Sequence, residues 1–179
     1  MKILVTGGSG FIGSNFILKN IKNYKILNYD KLTYAGNLNN LTSIEKNKNY
    51  SFINGDIKDS NKFNKIINSF RPNSVINFAA ETHVDRSIDG PTDFIETNIL
   101  GTFTLLKICL NYYKNLSITD KSIFRFLHIS TDEVYGSLGK KGRFKETTAY
   151  NPSSPYSASK ASSDHLVKAW YHTFGLPVL

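Results

Sequence analysis

Lys2-Ile3-Leu4-Val5-Thr6-Gly7-Gly8-Ser9-Gly10-Phe11-Ile12-Gly13 opens the chain on an apolar run that breaks into a glycine-rich turn and resumes with helical spacing. Two glycine spacings overlap there, Gly8-x-Gly10-x-x-Gly13 and Gly7-x-x-Gly10-x-x-Gly13. A strand–turn–helix unit of this kind uses glycine for a tight turn, for close approach of backbone to a phosphate, and for packing helix on strand. A helix beginning near Phe11 aims unbonded N–H groups and its positive dipole end at whatever lies over the turn. Glycine turns also close ordinary strand–helix units, so the next acid matters. Asp30 ends the second apolar run, where a carboxylate accepts hydrogen bonds from an adenosine ribose. Such an acid repels a 2′-phosphate, which favours NAD over NADP, while the neighbouring Lys31 pulls the other way.

Outward from this turn, strand-like and helix-like periods alternate. Short apolar runs occur at Lys2–Thr6, Lys25–Tyr29, Ser51–Asn54, Ser74–Phe78 and Ile123–Ile129. Helical spacing starts at Phe11, recurs through Phe63, Ile66, Ile67 and Phe70, and fills Phe94–Tyr113 and Ser157–Phe174. The alternation predicts an α/β domain over 1–179, a Rossmann-like doubly wound parallel sheet with helices on both faces. Gly175-Leu176-Pro177-Val178-Leu179 reads as the exit from a helix into a sixth strand, at which point the sequence stops. A truncation or a natural fragment is expected, with a stunted edge strand and unpaired backbone on its neighbour.

Composition narrows the class. Hydrophobic residues make up 40% and charged residues 20%, as in ordinary globular proteins. No stretch reaches membrane-spanning length, and Thr6-Gly7-Gly8 interrupts the apolar N-terminus before a signal-peptide core develops. Cys109 is the single cysteine, set among leucines as helix packing, so a reducing cytoplasm is the simplest compartment. A net charge of +8 raises the question of nucleic acid. Its densest patch, Lys140, Lys141, Arg143 and Lys145, lies in a glycine-containing stretch without interleaved aromatics, and reads as a solvated loop. His83, His128, His165 and His172 lack metal-ligand spacing, and Ser163-Asp164-His165 fan around a helix rather than converging. Packing is the expectation for all of these.

Two clusters carry proton chemistry. Tyr156-Ser157-Ala158-Ser159-Lys160 sets a phenol and an ammonium one helical turn apart, on one face. Lowering a tyrosine pKa from about 10 to neutrality takes roughly 4 kcal/mol, which the Lys160 cation and the positive nicotinamide of bound NAD could supply. Two solvated side chains on a helix are the alternative. Ser130-Thr131-Asp132-Glu133 follows the fifth strand, at the carboxyl end where open α/β sheets place ligands. Adjacent carboxylates suit paired acid and base roles; a helix-capping turn is the alternative.

Taken together, the glycine turn, Asp30-Lys31-Leu32-Thr33-Tyr34-Ala35-Gly36-Asn37, Ala79-Ala80-Glu81-Thr82-His83-Val84-Asp85-Arg86-Ser87, Glu96-Thr97-Asn98, the Ser130–Gly136 stretch and Ser154–Ala161 resemble the extended short-chain dehydrogenase/reductase family. Within it the resemblance is to the sugar-nucleotide 4,6-dehydratases that act on dTDP-glucose, and Thr131-Asp132-Glu133 is the discriminating piece. The resemblance implies bound NAD: Gly7, Gly10, Phe11, Ile12 and Gly13 at the pyrophosphate, Asp30, Lys31, Leu32 and Thr33 around the ribose, and Asp56 and Ile57 at the adenine. It implies Phe78, Ala79, Ala80, Glu81 and Thr97 along the rest of the cofactor, with Thr82 and Thr131 on the hexose. It further implies Tyr156, assisted by Lys160, as the base at the C4 hydroxyl, Glu133 at the C5 proton and Asp132 as the acid for the departing C6 hydroxyl. A second domain for the nucleotide is missing by this comparison, and the helices 94–113 and 157–174 correspond to a homodimer contact. An epimerase or decarboxylase of the same family, and an NAD-binding fragment without catalysis, are the competing readings. The nucleotide, dTDP or UDP, stays open.

Overall fold

The computed structural model describes all 179 residues, Met1–Leu179. Five parallel strands, β1 (Lys2–Thr6), β2 (Lys25–Asp30), β3 (Tyr50–Asn54), β4 (Ser74–Asn77) and β5 (Arg125–His128), form one sheet in the order β3-β2-β1-β4-β5. Parallel neighbours require crossovers, and helices supply them: α1 (Phe11–Asn20), α2 (Ser60–Phe70), α3 (Val84–Asp89), α4 (Thr92–Phe94), α5 (Thr102–Lys114), α6 (Ile118–Ile123) and α7 (Pro155–Phe174). The doubly wound expectation holds. Strand order reverses between β1 and β4, the switch point at which such sheets open a crevice beyond their carboxyl ends.

The strand pleat divides the core. Leu4, Leu27 and Val75 face one side, against Phe63, Ile67, Leu105, Leu106 and Val167 from α2, α5 and α7. Ile3, Val5, Ile26 and Ile76 face the other, against Ile17 and Ile21 of the α1 region and Leu41 and Ile44 of a 3₁₀ segment. Successive residues of one strand thus feed opposite layers, as strand geometry dictates.

Three expectations are corrected. Phe94–Tyr113 is not one regular helix: Ile95–Gly101 is a π-helical segment between α4 and α5. The fifth strand begins at Arg125 because Ile118–Ile123 is helical, capped by the Ser117 side chain, which accepts from the Asp120 amide. The edge of β5 is not left unpaired: Phe126 and His128 donate to the Pro177 and Leu179 carbonyls, and Leu179 donates back to Phe126, each at 2.9 Å. Residues 177–179 therefore lie parallel to β5 in the sixth-strand position, bridged at Val178.

Helix α7 owes its placement to its ends. Ser154 caps it in a reciprocal box with Ser157, Pro155 fits the first turn, and Gly175 closes it in the left-handed conformation at φ 68°. These devices fix the face carrying Tyr156 and Lys160 against the carboxyl end of β5.

Candidate active site

The carboxyl ends of the strands open on a cleft of about 570 Å³. Its floor is the glycine turn. Gly7 has φ 69°, and a Cβ there would lie 2.5 Å from the Ala79 nitrogen, so handedness and crowding both require glycine. A Cβ on Gly13 would strike the Gly7 carbonyl, which measures how tightly α1 sits on the turn. Gly10 differs: a Cβ there would meet nothing nearer than the Gly7 carbonyl at 3.5 Å, and Gly10 lines the cleft. The protein does not crowd this position, so its missing side chain leaves room for a ligand. Helix α1 also begins without a side-chain cap, so its first-turn N–H groups remain available to an anion.

Asp30 is buried at the end of β2. Ser9 donates its amide to Oδ2 and Leu32 its amide to Oδ1, both at 2.8 Å. Leu32 reaches back only by taking a left-handed φ of 58°. Two backbone amides thus lock the carboxylate in the cleft wall while each oxygen keeps a further acceptor site. Lys31 turns away to Asp56, 2.9 Å from Oδ2, so the cation beside Asp30 is already paired. Burial works to raise the Asp56 pKa, but the Lys58 amide and the Lys31 ammonium outweigh it and hold the carboxyl below its usual range.

Beyond β4, Phe78, Ala79, Ala80, Glu81 and Thr82 form the next stretch of wall. Asn98, buried in the π-helical segment, clamps it: its Oδ1 accepts from the Glu81 amide at 2.8 Å, and its Nδ2 donates to the Glu81 carbonyl at 2.9 Å. The same Nδ2 donates to Ser159 Oγ at 2.8 Å, and Ser163 Oγ donates to the Asn98 carbonyl at 2.6 Å. The irregular helix therefore ties the loop after β4 to α7.

On the far wall stand Ile129, Ser130 and Thr131 with Tyr156 and Lys160. Lys160 is buried and donates to the Ile129 carbonyl at 2.6 Å. Burial lowers its pKa to about 8, with Asp164 opposing the fall. Tyr156 moves against expectation. Burial pushes its phenol above the ordinary tyrosine value, the facing Thr131 hydroxyl opposes that, and Glu133, Asp132 and Asp164 add to the rise. Burial and these anions together raise it, so the chain alone keeps the phenol protonated. Asp132 and Glu133 lie on a 3₁₀ turn, Asp132–Tyr135, capped by the Thr131 hydroxyl. Thr131 lines the cleft, but Asp132 is exposed, Glu133 half-buried, and neither belongs to the wall.

Among the residues that the sequence suggests for the cofactor, Leu32 alone lies outside the lining; its amide serves Asp30 instead. Sequence reasoning missed Tyr29, Ala35, Gly36, Gly55, His83 and Ile129 in that lining. Gly55 and Ile129 directly follow the ends of β3 and β5, and that position is the signal that could have found them. His83, expected to pack, is exposed in the wall beside the Tyr34 ring.

The model of the family described as GDP-mannose 4,6 dehydratase matches residues 4–179. The chain belongs to that family. Among curated family relatives, the dTDP-glucose 4,6-dehydratase of Xanthomonas campestris pv. campestris (strain B100) is 56% identical over 177 residues, covering 98% of this chain and 50% of that protein. The solved dTDP-glucose 4,6-dehydratase of Bacillus anthracis, in complex with NAD, is 46% identical with a TM-score of 0.84, covering 99% of this chain and 53% of that one. The corresponding Streptomyces venezuelae enzyme, solved with NAD bound, is 40% identical with a TM-score of 0.88, covering 99% and 54%. The chain thus spans about half the length of the family members it matches. No helix is long and apolar enough to cross a membrane.

Proposed function

We propose that residues 1–179 are the NAD-binding Rossmann domain of a dTDP-glucose 4,6-dehydratase, which converts dTDP-glucose to dTDP-4-keto-6-deoxyglucose. One observation carries the reading. A single cleft joins an uncrowded glycine turn, a doubly anchored Asp30 with its lysine neighbour paired elsewhere, and the Tyr156–Lys160 face of α7 beside Thr131. The similarity to dehydratases solved with NAD supports the same cofactor here.

The residues fit NAD: Gly10 leaves space over the turn, α1 offers N–H groups, and Asp30 favours a free 2′-hydroxyl over a 2′-phosphate. When bound, NAD supplies a hydride acceptor for the sugar C4 and returns the hydride to C6, so none is consumed. Tyr156 takes the C4 hydroxyl proton, with Lys160 holding charge behind it. Thr131 and Thr82 contact the hexose from the cleft wall. Once C4 is a ketone, the C5 proton is acidic and Glu133 removes it. Asp132 protonates the C6 hydroxyl, which leaves as water.

Two further proposals follow. Ile95, Leu100, Phe103, Tyr171 and Phe174 are exposed on the helices 94–113 and 157–174, an apolar surface suited to a second copy of the chain. A cytoplasmic setting agrees with one buried, unpaired cysteine.

The test is titration with NAD and NADP by calorimetry, followed by addition of dTDP-glucose. NAD should bind at least about 10-fold tighter than NADP, and a 4-keto-6-deoxy sugar should accumulate without net NADH. Equal binding of the two dinucleotides, or none, overturns the cofactor assignment. Tight NAD binding without sugar turnover, in protein of the relatives' full length, overturns the dehydratase assignment.

A further inference from the structure

Asp164 occupies the third position of a stripe on α7, one turn beyond Lys160 and two beyond Tyr156, and is mostly buried. Its carboxylate gathers groups distant in sequence. Ser130 Oγ donates to Oδ2 at 2.5 Å, and Tyr150 donates its hydroxyl to the same oxygen at 3.0 Å. His128 Nε2 lies 3.6 Å from Oδ1, too far for a hydrogen bond. His128 and Ser130 flank Ile129, whose carbonyl receives the Lys160 ammonium. Asp164 therefore grips the end of β5 at the segment where Lys160 is anchored. Through Tyr150 it also reaches the following loop, since Tyr150 packs edge-on against Tyr135 at 5.3 Å and Asn151 donates to the Val134 carbonyl at 2.9 Å. Val134 and Tyr135 complete the turn that carries Asp132 and Glu133.

We infer that Asp164 is a positioning residue of the active site: one turn beyond Lys160, its carboxylate takes the Ser130 and Tyr150 hydroxyls, holding the strand end that receives the Lys160 ammonium and framing the turn 131–135. Its role in catalysis rests on the proposed function of Tyr156 and Lys160, but its effect on Lys160 does not. The surrounding charges leave Asp164 this part. His128 is neutral, because burial and the Lys160 cation press its pKa down to about 3. With Oδ1 of Asn77 accepting from the Thr6 hydroxyl, the Asn77 amide group donates to His128 Nδ1, which leaves the ring proton on Nε2. Glu96, from the π-helical segment packed on α7, is engaged by Lys58. Asp132 and Glu133, from the 3₁₀ turn, bear on Tyr156. Asp85, Arg86 and Asp89 on α3 and Lys107 and Lys114 on α5 are exposed, and Asp93 on α4 bears on Lys58. Burial lowers the Lys160 pKa, and Asp164 is the charge that raises it.

The test measures Lys160 itself. NMR of the lysine side chains labelled with carbon-13 at Cε, followed across pH with the Lys160 signal assigned from Lys160→Arg, gives the titration of that amine in the 179-residue chain. Wild type should titrate near pH 8. Asp164→Asn keeps the shape and a hydrogen-bond acceptor while deleting the charge, and should move that titration down by about one unit or more. Asp164→Glu should restore it to near the wild-type position. An unchanged titration in folded Asp164→Asn, or a fall that Glu does not reverse, overturns the inference. So does loss of the fold in Asp164→Asn, which would place the role of the carboxylate in stability. Because the readout needs neither NAD nor sugar, it stands apart from the fate of the dehydratase assignment.

Discussion

Replacing Gly10 by alanine separates the ligand's demand on the glycine turn from the fold's. Gly10 has φ −74° and ψ 173°, an extended conformation open to any residue, and its added Cβ finds no atom nearer than 3.5 Å. The cost at the helix N-cap is about 1 kcal/mol, offset by roughly 0.4–1 kcal/mol of lost unfolded-state entropy. Tm should therefore move by no more than about 4 °C. Gly7→Ala is the control. It pays about 1–2 kcal/mol for a left-handed alanine and about 1–3 kcal/mol for overpacking against Ala79, so its Tm should fall by roughly 5–20 °C. Binding should reverse the order of interest. A methyl over Gly10 occupies the approach of the pyrophosphate, and losing even one charge-assisted hydrogen bond of about 1.5–3 kcal/mol weakens NAD about 10- to 100-fold. Differential scanning calorimetry and NAD titration read the two effects separately. A Gly10→Ala chain that binds NAD within about twofold of wild type refutes the assignment of the turn to the pyrophosphate.

Three other perturbations probe the rest of the site. Asn98→Ala leaves both Glu81 backbone groups without their partner, and unfolding in urea should show a loss of about 2–4 kcal/mol together with weaker NAD binding; an effect below about 1 kcal/mol would mean the clamp is not needed. His128 has a folded pKa of about 3 against an ordinary 6.5, so between those values the unfolded chain binds the extra proton. Stability should then fall as pH drops from about 6.5, by up to about 1.4 kcal/mol per unit and about 2 kcal/mol by pH 5, and His128→Gln should flatten that part of the denaturation profile. Glu133→Gln should lower formation of the 4-keto-6-deoxy product by about 10²–10⁴-fold while oxidation at C4 continues, visible as bound NADH; an undiminished product rate would remove Glu133 from the chemistry.

The parts of the molecule legible in the sequence are those governed by short-range rules. The run Lys2–Thr6 is apolar, ends in glycine and is β1 to the residue. Asp30 was readable because one acid at a strand end has few other uses. The π-helical segment was not: one extra residue in a turn leaves the apolar spacing of Phe94–Tyr113 almost unchanged, and only the clamp of Asn98 on Glu81 reveals the shift. The start of β5 was misplaced because Ile123 and Phe124 extend the apolar run of the strand backwards, and the deciding cap at Ser117 is local and easily overlooked. The direction of the Tyr156 shift was hidden for another reason. Spacing showed the Lys160 cation on the same helix, whereas burial, the largest cause of the rise, and the Glu133 and Asp132 charges arrive through tertiary structure. Asp164 was dismissed with its neighbours as packing because its partners Ser130 and Tyr150 come from other segments.

The proposed function requires an internal oxidation and reduction, in which Tyr156 and the Asp132–Glu133 turn act on one sugar held beside NAD in protein of the relatives' full length. It is tested most directly with dTDP-glucose carrying deuterium at C4, supplied with NAD, and the product examined by NMR. The account predicts a 4-keto-6-deoxy sugar with the deuterium on C6. Label lost to solvent, label left on the reduced dinucleotide at the end of turnover, or a product still hydroxylated at C6 would contradict it.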